Sequence, residues 1–426
     1  MATTTEANTV TLRAQCLCRA QTFTACVPHS ALPLKGSSCH CTSCRHVTGA
    51  MRSSDAVWPG PTGDIVSAAG GQDSTLKRYR FSGRANILFC GGCGSKLFWE
   101  QWQHPQPSRE DEDVSGEGVE YFVFTGVLDG EGEGWDKGRP LVKWEDHIFV
   151  GDTRDGGASC WLRGMNGEVG EPVKVWLGGR DKSEEVAPGV CWPAVKDLPG
   201  YEVTLKAAEG DKGNVPIRCH CGGVDFVLRA GEAQRESAER QKNGGELSRF
   251  ADPVTHKLYA SLDCCDSCRI WSGSEVVHWT FPLLRHMSFA GENAEHLPED
   301  TSKLREALEA NDSRLGTLAM YASSPRVQRY FCGSCSACVF YAVDTRPDMV
   351  DLAVGMLDSP EGARAESALS WAFGGLISWK PDMIGTWREG LLQAVERESE
   401  QWRIERGYPK NWMRVAVEQA TQAGGN

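Results

Sequence analysis

The placement of cysteine constrains this chain more than any other feature of its sequence. Of 18 cysteines, 16 fall into two blocks of eight. The first block reads Cys16-Leu17-Cys18, then Cys39-His40-Cys41-Thr42-Ser43-Cys44, then Cys90-Gly91-Gly92-Cys93, with Cys26 as its odd member. The second reads Cys219-His220-Cys221, then Cys264-Cys265-Asp266-Ser267-Cys268, then Cys332-Gly333-Ser334-Cys335, with Cys338 as its extra member. The neighbours repeat as well. Ser43-Cys44-Arg45 matches Ser267-Cys268-Arg269, and Phe89-Cys90-Gly91 matches Phe331-Cys332-Gly333. Leu97-Phe98-Trp99 resembles Val339-Phe340-Tyr341, and Gly126-Val127-Leu128-Asp129 resembles Gly355-Met356-Leu357-Asp358. Landmarks recurring in one order predict two tandem copies of one domain, each long enough for its own core.

Cysteines this close in sequence make poor disulfide partners, because the bond demands particular Cα separations and Cβ directions. Zinc suits them better: it takes four ligands in a tetrahedron, and thiolates are among its preferred donors. A CxxC turn sets two sulfurs on one side of an ion, and a CxC on a bent strand can offer two more. If those pairs join across the fold, the middle motif is left over. Cys39, Cys41 and Cys44 supply three thiolates, the count of a catalytic site that keeps one position open. A histidine, such as His40 or His46, or a carboxylate could instead close it. Cys26, Cys160, Cys191 and Cys338 read as small buried apolar residues.

The length of 426 residues fits two domains. The net charge of -12 argues against nucleic acid as a partner, since phosphate binding needs a basic surface. Met1 to Val10 is polar and Thr-rich, without the apolar stretch of a secretory signal. No run of 18 apolar residues occurs, so no membrane span is expected. The thiols are therefore placed in a reducing compartment, cytoplasmic with nuclear as the alternative, where clustered cysteines more often bind metal than pair.

Taken together, these motifs resemble the glutathione-dependent formaldehyde-activating enzyme family, which includes the centromere protein V domain. The first block carries the likeness best, with Thr48-Gly49, Gly94 and His147-Ile148-Phe149-Val150 adding to it. The likeness covers most of residues 10–163 and again about 201–380. It implies a mainly β fold of small sheets packed like a tent. It implies a structural zinc on Cys16, Cys18, Cys90 and Cys93, and a second, labile zinc on Cys39, Cys41 and Cys44. It also implies carbon–sulfur lyase activity, the reversible addition of glutathione to formaldehyde. The second copy departs from the pattern. Aligned on Cys265 and Cys268, the first cysteine of the trio becomes Asp263, with Cys264 one place late. Asp263, Cys265 and Cys268 could form a site, Cys264 could take the role, or the second zinc could be absent. Cys219, Cys221, Cys332 and Cys335 would hold the structural zinc of this copy. No clear counterpart of His147–Val150 stands out, although Leu369-Ser370-Trp371-Ala372 lies near that place. The first copy is accordingly favoured as the active one.

Four regions follow: a first copy over 10–165, a packed linker over 166–200, a divergent second copy over 201–388 and a helical tail over 389–426. Tyr121–Thr125 and Val173–Leu177 read as strands. Ser108–Gly118 and Arg229–Glu246 read as solvated insertions. Leu304, Leu308 and Leu315 predict a surface helix over Asp300–Leu315. Trp176 and Trp192 suggest that the linker packs on a domain. The tail has the apolar spacing of a helix packed against the second copy, with a homodimer contact as the other use.

The function expected is that of a zinc-dependent lyase. A thiol such as glutathione reaches the trio and is activated as a thiolate, which attacks an aldehyde or another electrophilic carbon. His46 or His147 would carry the proton. The alternative is a non-catalytic, zinc-stabilised protein-binding module in which every metal is structural.

Overall fold

In a computed structural model, the described residues are 9–71, 74–104, 118–132, 135–167, 171–187, 192, 213–291, 294–374 and 377–424. The expected loop over 108–117, the linker residues 168–170, 188–191 (with Cys191) and 193–200, and the start of the second copy at 201–212 lie outside them.

The first sheet unit comprises β1 (Thr9–Gln15), β2 (Thr22–Pro28), β3 (Leu34–Cys39), β4 (Ser53–Val57), β5 (Leu76–Ser82), β6 (Ala85–Cys90), β7 (Lys96–Trp102), β8 (Val119–Phe124), β9 (Leu128–Glu131), β10 (Val142–Ile148) and β11 (Lys174–Val175). The second comprises β12 (Asn214–Arg218), β13 (Asp225–Arg229), β14 (Leu258–Asp263), β15 (Val277–Thr280), β16 (Met287–Phe289), β17 (Leu318–Ser324), β18 (Val327–Cys332), β19 (Cys338–Val343), β20 (Asp351–Ala353), β21 (Leu369–Trp371) and β22 (Ile377–Ser378). The α-helices are α1 (Thr42–Thr48), α2 (Gly63–Gly70), α3 (Ala230–Lys242), α4 (Asp266–Ser272), α5 (Thr301–Glu309), α6 (Glu389–Glu405) and α7 (Trp412–Gly424). The chain is thus mostly β with two sheet units. No described helix is long and apolar enough to cross a membrane.

The two large sheets share one strand order. The first runs β5-β6-β7-β8-β4-β3-β10-β11; the second runs β17-β18-β19-β20-β15-β14-β21, with β22 also on β14. Each is accompanied by a three-stranded sheet, β2-β1-β9 and β12-β13-β16. In both large sheets the strand before the trio's helix pairs antiparallel on one side and parallel on the other. Inner strands are buried on both faces, as β6 shows from Ala85 to Cys90, whereas β2 alternates with every second residue exposed. That alternation corrects the reading of Cys26, which lies on the outer face and is exposed. Cys338 is fully buried, as expected.

The units meet in reciprocal contacts. The Gly126 N–H donates to Gly273 O at 2.9 Å, and the Gly355 N–H donates to Gly49 O at 3.0 Å. Gly49 and Gly273 end α1 and α4 in the left-handed conformation, at φ 77° and 80°. A Cβ on Gly355 would stand 2.2 Å from the Ala50 carbonyl, so only glycine allows this approach. The arginine of the second unit's Ser-Cys-Arg motif serves the same interface: Arg269 reaches Asp129 and the Gly126 carbonyl. Buried Arg52 pairs with buried Glu275 of the other unit at 3.0 Å. Lys96 and Cys338, each three places after the last cysteine of its CxxC turn, are both fully buried and touch, with Nζ 3.2 Å from Sγ.

Several sequence expectations hold. β8 covers most of Tyr121–Thr125, and Val173–Leu177 contains the two-residue β11. The helix expected over Asp300–Leu315 is α5 followed by a short 3-10 turn at Ser313–Leu315. Trp176 is buried, and the Trp192 indole donates to Arg154 O. Others are corrected. Arg229–Glu246 holds helix α3, which buries Ala230 and Ala233 and sets Glu236 against Arg285 and His286. Its alanines were too few to signal a packed face among so many charges. In the tail, α7 lies on the second unit through Trp412, but α6 packs largely against residues 157–161 of the first. Arg388 fixes that crossing, donating to Asp129 Oδ1 and Thr125 O at 3.0 Å each.

Candidate metal centres

Sheet pairing brings the distant cysteine pairs together. The turn between β1 and β2 carries Cys16 and Cys18, and the turn between β6 and β7 carries Cys90 and Cys93. Their four sulfurs lie within 4.8 Å of one another, with Cys18 Sγ 3.5 Å from both Cys16 Sγ and Cys90 Sγ. Cys219, Cys221, Cys332 and Cys335 repeat this, with contacts of 3.4 and 3.5 Å. A zinc–sulfur bond of about 2.3 Å puts tetrahedral sulfurs roughly 3.8 Å apart, whereas a disulfide would need about 2.05 Å. These donor sets therefore fit zinc and not cystine.

The middle trio forms where β3 runs into α1. Cys41 caps the helix, its Sγ accepting the Cys44 N–H at 3.3 Å. Cys39 closes the strand, and the three sulfurs gather within 4.8 Å. Asp152 steadies the turn by accepting the Thr42 N–H. The Cys41 thiol is pulled down to about 3: its sulfur takes hydrogen bonds from Cys39 and Cys44, then from the Cys44 backbone. Cys39 and Cys44 are pushed up, first by hydrogen bonding within the trio and then by burial. One thiolate is thus stabilised even without a metal, at the positive end of a short helix.

Among the described residues no histidine or carboxylate joins this trio. His40 points into the core, with Nε2 2.9 Å from His147 Nδ1, and His147 Nε2 meets Leu162 O at 3.1 Å. Both imidazoles are fully buried. Burial holds His147 down to about 3 and His46 to about 4. The structure thus takes His147 out of reach as a proton carrier. A residue not singled out in the sequence is better placed. Asp55 of β4 pairs with Ser37, two residues before Cys39 on β3, and so lies on the same face of the sheet. Burial raises its carboxyl to about 7, with the nearby Asp146 charge adding to the rise. An acid inside the short strand Ser53–Val57 was its only signal in the sequence.

The second unit repeats the turn between β14 and α4. Asp263, Cys265 and Cys268 offer ligand atoms within 4.8 Å of one another. Cys265 Sγ accepts the Cys268 N–H at 3.3 Å, and Asp382 accepts the Asp266 N–H at 2.9 Å. Cys264 turns away, its thiol 3.2 Å from Ser378 O. The counterpart of His147–Val150 is also present, although the sequence hid it. β22 pairs Ser378 with Asp263 as β10 pairs Ile148 with Cys39. Phe149 and Trp379 then share the left-handed conformation, at φ 55° and 61°. The place belongs to Ile377–Lys380, not to Leu369–Ala372. Arg329 enters here too, its guanidinium 2.8 Å from Ser267 Oγ and 3.7 Å from Cys268 Sγ.

Comparison with curated proteins gives no match, and neither does comparison with solved structures. One family model does match, over the stretch that carries β1 to β7 and both cysteine clusters of the first unit. The model of the glutathione-dependent formaldehyde-activating enzyme family matches residues 11–112 of the chain.

Proposed function

We propose that the first unit is a zinc-dependent carbon–sulfur lyase centre that makes or breaks a bond between a thiol such as glutathione and an aldehyde or other electrophilic carbon. The observation that carries this reading is the incomplete trio: Cys39, Cys41 and Cys44 converge, while His40 and His46 stand outside the cluster. Cys39, Cys41 and Cys44 would hold zinc with one position left for a thiol, whose pKa the ion would lower. Three thiolates and one divalent ion sum to a net charge of -1, which favours thiolate delivery over polarisation of a carbonyl. The chain's own residues do the rest. Helix α1 and the Cys44 N–H orient Cys41. Asp55, on the same sheet face, carries the proton of the thiol to the alkoxide as the C–S bond forms, and returns it in reverse. The four-sulfur clusters of both units hold structural zinc, and the second unit is a divergent tandem copy.

Native mass spectrometry of the purified chain, with and without glutathione, tests this. Three or more zinc ions are expected. Cys41→Ala should lose one of them together with the glutathione adduct. Two tightly held ions and no adduct would leave only the structural sites and move the reading to a protein-binding module.

A further inference from the structure

The Asp263–Cys265–Cys268 cluster opens into a cavity of about 720 Å3, within the usual range for small-molecule sites. Its lining differs from the matching face of the first unit in a consistent direction. Sheet register places Tyr259 where the first unit has Lys35, Trp279 where it has Asp55 and Phe281 where it has Val57. Its polar lining is the cluster itself, Asp382, Arg249 and the Arg346–Asp351 ion pair, and behind the cluster the Arg329 guanidinium packs over Trp271 and Tyr341 beside Cys268. Met413 and Val417 of α7 stand at the wall given by the tail. The result is a chamber with aromatic walls at Tyr259, Trp279 and Phe281 and with two thiols and a carboxylate grouped at one side.

We propose that this cavity is a second ligand site, for an aromatic thiol or thioether whose sulfur meets the Asp263–Cys265–Cys268 cluster and whose ring lies among Tyr259, Trp279 and Phe281. It rests on the reading of these clusters as zinc sites, and it assigns the second unit a binding role separate from the first unit's trio. Flat apolar rings gain most from such walls, since aromatic pairs add to plain area burial.

The test is calorimetric titration of the zinc-loaded full chain with 2-naphthalenethiol and with its sulfur-free counterpart 2-naphthol. The thiol should bind at least about tenfold more tightly, and Cys265→Ser should abolish that preference while naphthol still binds. Met413→Trp, which narrows the cavity from the tail helix, should weaken both ligands without changing the zinc count by mass spectrometry. Cys41→Ser should leave the preference for sulfur intact. A preference lost in Cys41→Ser and kept in Cys265→Ser would place sulfur recognition in the first unit and overturn the proposal. Equal affinity for the two probes, or no effect of Met413→Trp, would overturn it as well. Failure of the glutathione adduct at Cys41 alone would sink the lyase reading and leave this one standing.

Discussion

At the scale of single residues, burial sets the titration behaviour that matters. Desolvation, with the Asp146 charge beside it, raises the carboxyl of half-buried Asp55 to about 7, the range in which a group can both take and give a proton at neutral pH. Asp55→Asn is expected to slow C–S bond formation by about 100-fold and to remove the limb near pH 7 from the rate profile. An unchanged profile would exclude it as the proton carrier. His278 shows the opposite effect. It is buried against Trp161 and Trp371, neither ring nitrogen has a hydrogen-bond partner among the described residues, and burial holds its pKa down to about 3. The unfolded chain, with His278 near 6.5, binds the extra proton first. Stability is therefore lost as pH falls below about 6.5 toward 3, by up to about 1.4 kcal/mol per pH unit. His278→Phe should flatten the pH dependence by that slope in urea titrations between pH 6.5 and 5.5. A wild-type slope in the variant would contradict the assignment.

At the scale of elements, α1 and α4 end on glycines that the opposite unit must approach closely. Gly355→Ala drives a Cβ into the Ala50 carbonyl, a backbone atom that cannot move aside. A loss of about 2 kcal/mol or more is expected from such overpacking, measurable as a lower urea midpoint with an unchanged slope. Gly49 and its partner Gly355 belong to motifs visible in the sequence, since Gly49 follows the trio and Gly355 opens the Gly-Met-Leu-Asp landmark. Repetition showed that these motifs matter, but not that each copy's motif touches the other copy's. Contacts between residues as far apart in sequence as Gly126 and Gly273, or Gly49 and Gly355, leave no local trace. The cysteine clusters were legible because metal ligation needs donors at short spacings. Asp55 and Arg329 were not, because their importance comes from cross-strand register. Ile377–Lys380 was missed for a related reason. It shares backbone conformation and strand pairing with His147–Val150, whereas its side chains differ.

At the scale of the whole molecule, metal and interface hold one another in place. The four-sulfur clusters tie the small sheets to the large ones, and helices α1 and α4 that bear the trios also form the contact between units. Stripping zinc with a strong chelator at neutral pH should therefore collapse cooperative unfolding in both units together, because structural zinc contributes folding energy directly. Two separate calorimetric transitions after partial stripping would show instead that the units are independent. The contact between Lys96 and Cys338 bears on how such an arrangement can change. The two residues occupy equal places in their units, and each is the other's neighbour. In an assembly of two identical chains, a residue at that place meets its own copy. Lysine would face lysine, or thiol would face thiol. A chain carrying both halves is free of that rule, so an amine can face a thiol at its centre. The same freedom extends outward: one half can keep Lys35 and Asp55 on its sheet face while the other carries Tyr259 and Trp279 at those places, and neither change has to be tolerated twice.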